Sequence, residues 1–398
     1  MDVDNFFQNS HYSINRILLS IYGLWPFDTK IKRYMIYITM ILVFGSGFIF
    51  QILGTIDAWQ DPFELVDSLT FLFLVLTVIC KMICGVYMVP KIKLLLIKMQ
   101  EYNLSPKSNK ECEIHNSYTI YGQKMATAYL YFITGNVIIF YITVCITRFI
   151  HIKSNKNDTL LNEAQVGVVY RVNYIVDFDT YYPLIYIHTS LCLSFNILLA
   201  VTLDILSIAM VEHCRGLFAV LSYRLENTLS ENDYDSPTKT FKKDKSYLNV
   251  ACSFRRHAET IEFVNMMNAV YSPSLFAHLG LSILVLGILE YQVVTSTENT
   301  NRFLKHISFL NSLLINVFFE NWQGQRIIDS SEKVFDAAYN AKWYNMPIAA
   351  RKLLVLIMMK SKKPLILTAG KFMILSYVTF NGIMRTSSSY FMLLRSMS

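Results

Sequence analysis

The sequence predicts an all-α, polytopic membrane protein with seven transmembrane helices, and three observations predict it. Hydrophobic residues make up 53% of the 398 and charged residues only 16%, which leaves too little polar surface for a water-soluble globule. Seven stretches are mainly apolar over roughly the 20 residues that a bilayer crossing needs: Tyr34 to Ile56, Leu65 to Val89, Met125 to Phe149, Tyr182 to Met210, Val270 to Glu290, Phe303 to Asn321 and Leu367 to Leu394. Basic residues are unevenly divided among the connections. Residues 1–33, 90–124, 211–268 and 322–363 carry 26 Lys and Arg, against 5 in 57–64, 150–181, 291–302 and the last few residues. The positive-inside rule then puts the N-terminus in the cytosol and the C-terminus outside.

Residues 1–33 form a cytosolic N-terminal segment. With Asp2 and Asp4 and no basic start before an apolar run, it does not read as a cleavable signal, so an internal span is expected to direct insertion. Spans one to six occupy residues 34–321. The cytosolic connections are not linkers: "VEHCRGLFAVLSYRLENTLS" groups Leu217, Phe218, Val220, Leu221 and Leu225 on a helical face, so it continues span four as helix. "SENDYDSPTKTFKKDKS" reads as loop. "YLNVACSFRRHAETIEFVNMMNAVYS" resumes helical periodicity into span five, with a kink expected at Ser272-Pro273. Residues 322–366 form an anchor segment in which Ile327, Val334, Phe335, Ala338 and Trp343 fall near one another. This helical layer needs partners for its apolar faces and is expected to be an assembly surface; helices lying on the lipid headgroups are the other reading.

Catalytic chemistry has little to stand on. His11, His115, His151, His188, His213, His257, His278 and His306 show neither an HExxH motif nor paired ligand spacing, and no nucleophile elbow or Gly-rich phosphate loop occurs. The expectation is therefore no enzyme, no metal and no cofactor. The net charge of +7 is accounted for by topology, so no nucleic-acid partner is expected. Seven cysteines divide between spans and cytosolic connections, which does not suggest a disulfide framework. Asn157-Asp158-Thr159 is a glycosylation sequon in an external connection.

The last segment, residues 367–398, carries Lys371 and Arg385 and is long for one crossing. Gly370 beside Lys371 suggests a split span, a short first part followed by a second helix that crosses. One face of that helix reads Thr379, Gly382, Thr386, Ser389, Leu393, Ser396, at spacings of three and four. Such a stripe is either a close-packing seam between helices or the lining of a pore. One stripe cannot enclose a channel, so the pore reading requires several subunits around an axis.

"KPLILTAGKFMILSYVTFNGIMRTSSSYFMLLRS" resembles the C-terminal signature of insect odorant receptors, and "CRGLFAVLSYRLENTL", "RRHAETIEFVNMMN" and "QGQRIIDSSEKVFDAAYNAKWYNMP" resemble that family's cytosolic segments. Gly23-Leu24-Trp25-Pro26 resembles the region before span one. The likeness covers about the last half of the chain. It implies an odorant-gated, non-selective cation channel: a tuning subunit that assembles with the shared odorant co-receptor as a heterotetramer in the plasma membrane of olfactory dendrites, its last helix contributing to a central pore. By the same resemblance Tyr390-Phe391 precedes the gate, at Leu393 and Ser396. The ligand pocket is implied in the outer half of spans two, three, four and six. That region offers Leu69, Leu72 and Phe73; Gly135, Ile138 and Ile142; Tyr182, Ile185, Tyr186 and Thr189; and His306, Phe309, Leu310 and Leu313. These walls favour neutral, mostly hydrocarbon ligands, with Tyr186, Thr189 or His306 orienting one polar group. The competing classes are a seven-span G-protein-coupled receptor, which would show DRY-like and NPxxY motifs, and a transporter, which would show repeated halves.

Overall fold

The computed structural model describes residues 3–8, 10–155, 167–228, 239–297 and 300–397. Two short helices, α1 (Val3–Gln8) and α2 (Ser13–Ile21), precede six long ones: α3 (Lys30–Asp57), α4 (Pro62–Leu104), α5 (Asn109–Asn155), α6 (Phe178–Glu226), α7 (Lys239–Thr295) and α8 (Thr300–Asn340). Then follow α9 (Ile348–Ser361), a hairpin of β1 (Thr368–Ala369) and β2 (Met373–Ile374), and α10 (Tyr377–Met397). Among the described residues, α3 to α7 each contain a stretch long and apolar enough to cross a membrane. At 41 and 21 residues α8 and α10 also have the length, but they carry more polar groups.

The helices outrun a bilayer. With 57 residues, α7 extends about 85 Å at 1.5 Å per residue, against a hydrocarbon layer of roughly 30 Å. Boundaries drawn from hydropathy therefore capture only the apolar middle of each helix. The expected continuation beyond span four is the end of α6, which runs to Glu226. One expectation is corrected: the stretch assigned to loop over 230–246 is helical from Lys239, because extending an existing helix adds a hydrogen bond for every residue fixed and lysine is a good helix former. Asn157, the glycosylation candidate, lies outside the described residues.

Caps fix where the long helices begin. At the start of α5, Ser108 N–H donates to Glu111 Oε2 (3.1 Å) and Glu111 N–H to Ser108 Oγ (3.3 Å), a reciprocal capping box. Asp177 accepts from the Thr180 N–H at the start of α6 (2.9 Å). Once formed, α6 sits at the centre of the bundle: Leu199, Ile205, Leu206, Met210, Cys214, Phe218 and Leu225 are almost wholly buried. The N-terminal segment is folded against it, with Tyr22, Leu24 and Trp25 buried and the Tyr22 hydroxyl donating to Phe195 O (3.0 Å). Asp4 holds that segment together through two bonds from Arg16 (2.7 Å each) and one from Trp25 Nε1 (2.9 Å).

The last predicted span is not one continuous helix. The short part that precedes α10 is the β-hairpin. Gly370 and Lys371 have φ of 61° and 66°, the left-handed pair at the centre of a tight turn that Phe372 N–H closes on Ala369 O (3.2 Å), within a three-residue loop between the strands. The hairpin is clamped on both sides. Gly370 N–H donates to Ser272 O on α7 (3.0 Å), and Asn268 Oδ1 accepts from Thr368 N–H (2.8 Å). On the α8 side, Asn321 Oδ1 accepts from Ser376 N–H (3.3 Å), and a Cβ on Gly324 would lie 2.3 Å from Leu375 Cβ, closer than atoms can pack. This clamp sets the direction of α10.

Candidate ligand cavity and the polar face of the last helix

Between α4, α5, α6 and α8 lies a cavity of about 180 Å³. Each helix contributes a face at helical spacing: Phe71, Val75 and Val78 from α4; Ile133, Val137 and Phe140 from α5; Leu193, Ile197 and Ala200 from α6; Phe309 and Leu313 from α8. Phe71 and Phe309 stack with centroids 5.1 Å apart. Tyr170, from the segment joining α5 and α6, also reaches the cavity and is buried with Val168, Val169 and Val172. Val168, Val169, Tyr170 and Val172 of that connection are therefore part of the core. Its run of apolar residues was the available signal.

One end of the cavity is ionic. Lys81 Nζ donates to Asp204 Oδ1 (3.0 Å) and Glu320 Oε1 (3.1 Å), and His278 Nδ1 lies 2.8 Å from Glu320 Oε2. Asp204 also accepts from the Tyr129 hydroxyl (2.9 Å) and Asn316 Nδ2 (3.2 Å). This network ties α4, α5, α6, α7 and α8 together in a region shielded from water. Its charges survive there because each is paired and hydrogen-bonded.

Of the residues projected from sequence, Phe309 and Leu313 line this cavity. Leu69 and Leu72 lie half-buried on a neighbouring face of α4, and Phe73 and Leu310 pack against the main core. Ile138 and Ile142 turn outward, 52% and 53% exposed, and nothing lies within 4 Å of a Cβ placed on Gly135. Ile185 and Tyr186 do not line the cavity but pack, nearer the start of α6, in the cluster that includes its wall residues Phe71, Phe140, Tyr170 and Leu193, and Tyr182 stacks on Tyr186 at 6.0 Å. The three polar groups expected to orient a ligand are already engaged: the Thr189 hydroxyl donates to Ile185 O (2.9 Å), Tyr186 Oη meets Cys145 Sγ (3.1 Å), and His306 bridges Asp67 (3.2 Å) and Ser296 (3.3 Å).

The last helix has two unlike faces. Ile383 and Ser387 are buried against its neighbours, and Gly287 of α7 allows close approach, since a Cβ there would lie 2.9 Å from Tyr390 Cβ. Gly382, Thr386, Ser389, Leu393 and Ser396 are exposed and Thr379 is half-buried. Within the chain the stripe read from sequence is thus the open face. Thr386, Ser389 and Ser396 return their hydroxyl protons to carbonyls of their own helix (2.7–2.9 Å).

A bundle of long apolar helices around a largely apolar cavity defines a polytopic membrane protein with room for a small molecule. The chain belongs to the 7tm odorant receptor family, whose model matches residues 61–388. It is 27% identical over 192 residues to odorant receptor 67c of Drosophila melanogaster, covering 48% of this chain and 45% of that one. It is likewise 27% identical over 171 residues to the odorant receptor coreceptor of Anopheles gambiae, covering 42% and 36%. The chain thus spans about half the length, or less, of these curated relatives. In fold it is similar to the insect olfactory receptor OR5 from Machilis hrabei in complex with eugenol, with a TM-score of 0.77 and 14% identity over 100% of both chains. OR5 solved without that ligand gives 0.69 and 16% over 97% of both. The family itself is one of receptors and not of enzymes.

Proposed function

We propose that this chain is the tuning subunit of an odorant-gated, non-selective cation channel, assembled with the odorant co-receptor as a heterotetramer in the plasma membrane of olfactory neurons. The observation that carries this reading is the outward stripe of α10. A seam within the subunit would be covered, and the covered positions are instead Ile383 and Ser387. Copies of an open polar face arranged about an axis provide a wetted path for ions. The N-terminus is cytosolic on this reading, and residues 322–366 anchor subunit to subunit. In support, Ile348, Val355, Leu356 and Met359 of α9 are exposed although apolar.

The ligand is a small, mostly apolar molecule held in the cavity between α4, α5, α6 and α8. It needs only to favour the open arrangement, and its differential affinity for the two states sets how far it shifts them. A contiguous route supports that shift: Phe309 and Leu313 line the cavity, Glu320 further along the same helix holds Lys81 and His278 at its ionic end, and Asn321 beside it and Gly324 one turn on hold the hairpin that carries α10. Opening withdraws Leu393, with Ser396 beside it, from the axis.

The test is whole-cell recording from cells expressing the chain with and without an insect odorant co-receptor, with G-protein signalling blocked, during rapid application of volatile and hydrocarbon panels. Fast cation current requiring both subunits is expected, with basal current or sensitivity altered by Leu393→Ala. Surface-delivered protein that yields only a G-protein-dependent response would return α10 to a packing role and favour the coupled-receptor class.

A further inference from the structure

Two amides beside the cavity, Asn196 buried and Asn316 half-buried, present buried acceptor atoms that no protein group among the described residues fills. Asn196 of α6, only 6% exposed, donates through Nδ2 to Cys192 O (2.8 Å). Asn316 of α8 donates through Nδ2 to Asp204 Oδ2 (3.2 Å) and Tyr129 Oη (2.6 Å). Both residues line the cavity, and among the described residues neither Oδ1 has a hydrogen-bond partner. The orientation of each amide is set by its neighbour: turning either one over would aim a carbonyl oxygen at another acceptor, a backbone carbonyl for Asn196 and a carboxylate for Asn316. The acceptor ends are therefore fixed, and a buried acceptor left unmatched costs about 1–3 kcal/mol.

We propose that the molecule this cavity takes carries a neutral hydroxyl, donated to Asn196 Oδ1 or Asn316 Oδ1, on a small apolar or aromatic body. This rests on the reading of the cavity as a ligand site. A cation is disfavoured because Asp204 is already matched by Lys81 and takes two further donors, whereas the open acceptors are neutral amides that suit a neutral O–H. An ether or a hydrocarbon of the same shape leaves both unmatched. The volume suits one ring: a dry cavity of about 150 Å³ accepts benzene, and this one measures about 180 Å³. The polar groups named from sequence do not compete for the hydroxyl, since Thr189, Tyr186 and His306 are not among the residues lining the cavity.

Melting of the purified full-length chain in detergent, titrated with benzyl alcohol and 2-phenylethanol against toluene, ethylbenzene and the matching methyl ethers, tests this directly, because a ligand of the folded state raises its melting temperature. The alcohols should act at concentrations about tenfold lower than their partners. Asn196→Leu, which touches no charged group, and Asn316→Leu should erase that preference while the shift with toluene, which reports intact folding, remains. Alcohols and hydrocarbons acting alike, a preference that survives both variants, or no shift with either alcohol would each overturn the proposal. Current recording with the co-receptor separates it from the channel reading. A hydroxyl preference in melting without any current sinks the channel alone, and current without a hydroxyl preference sinks only this inference.

Discussion

Two buried polar clusters share α6, and the protein handles them in opposite ways. At Asp204, within an apolar span, charges are retained and matched: Lys81 against two carboxylates, and His278 on Glu320. Beyond the span, His213 lies 3.2 Å from His115 of α5, with Tyr102 and Phe263 around the pair and both imidazoles about 1% exposed. Here charge is avoided. Burial, helped by nearby Lys107, pushes His115 down to about 3 and holds His213 well below its ordinary value. Where five helices meet at a cavity, pairing holds them in register. Where the helices extend past the membrane, neutral rings pack as an ordinary core.

Breaking the charged cluster should have the largest effect. Lys81→Met leaves two carboxylates facing each other without their shared cation and is expected to cost about 3–5 kcal/mol, read as a lowered melting temperature of the purified protein. An unchanged melting point would mean that the cluster is not buried as described. The neutral pair predicts a smaller, pH-dependent loss. Its folded pKa values are depressed, so the unfolded chain takes up protons first, and stability falls as pH drops through the unfolded value near 6.5. Between pH 7.5 and 5.5 the pair should lose about 1–3 kcal/mol, and His115→Phe should flatten that part of the profile. The smallest effect belongs to the open stripe: Thr386→Val faces no neighbour in the chain and should change stability by less than about 0.5 kcal/mol. If current through the co-receptor complex is nonetheless altered, the contrast between structural and conductive polar groups is sharpened; if melting collapses instead, the stripe is a covered seam.

Hydropathy made the fold legible, because a bilayer imposes a length on every apolar run and the helical extensions repeat the same periodicity. The stripe on α10 was legible for a related reason, as small and hydroxylic residues recur at helical spacing along one face of that helix. The cavity was harder. When a helix is apolar nearly all round, its sequence does not say which face turns inward, and Ile138 and Ile142 differ from Val137 and Phe140 only by rotation about the axis. Strands of two residues carry no period, so the hairpin left only Gly370 as a trace. The ionic cluster did leave a signal. Lys81, Asp204, His278 and Glu320 are ionisable residues inside predicted spans, the pattern that marks an internal site, and only their pairing required the structure.

The clamped hairpin has a mechanical consequence. Leu393 lies 16 residues beyond Tyr377, about 24 Å along a helix whose near end is fixed by α7 and α8. Such a rod works as a lever: a tilt of only about 6° at the clamp carries its tip through about 2.5 Å on that length. An adjustment among packed side chains too small to disturb the core is thereby multiplied into a displacement on the scale of a water molecule.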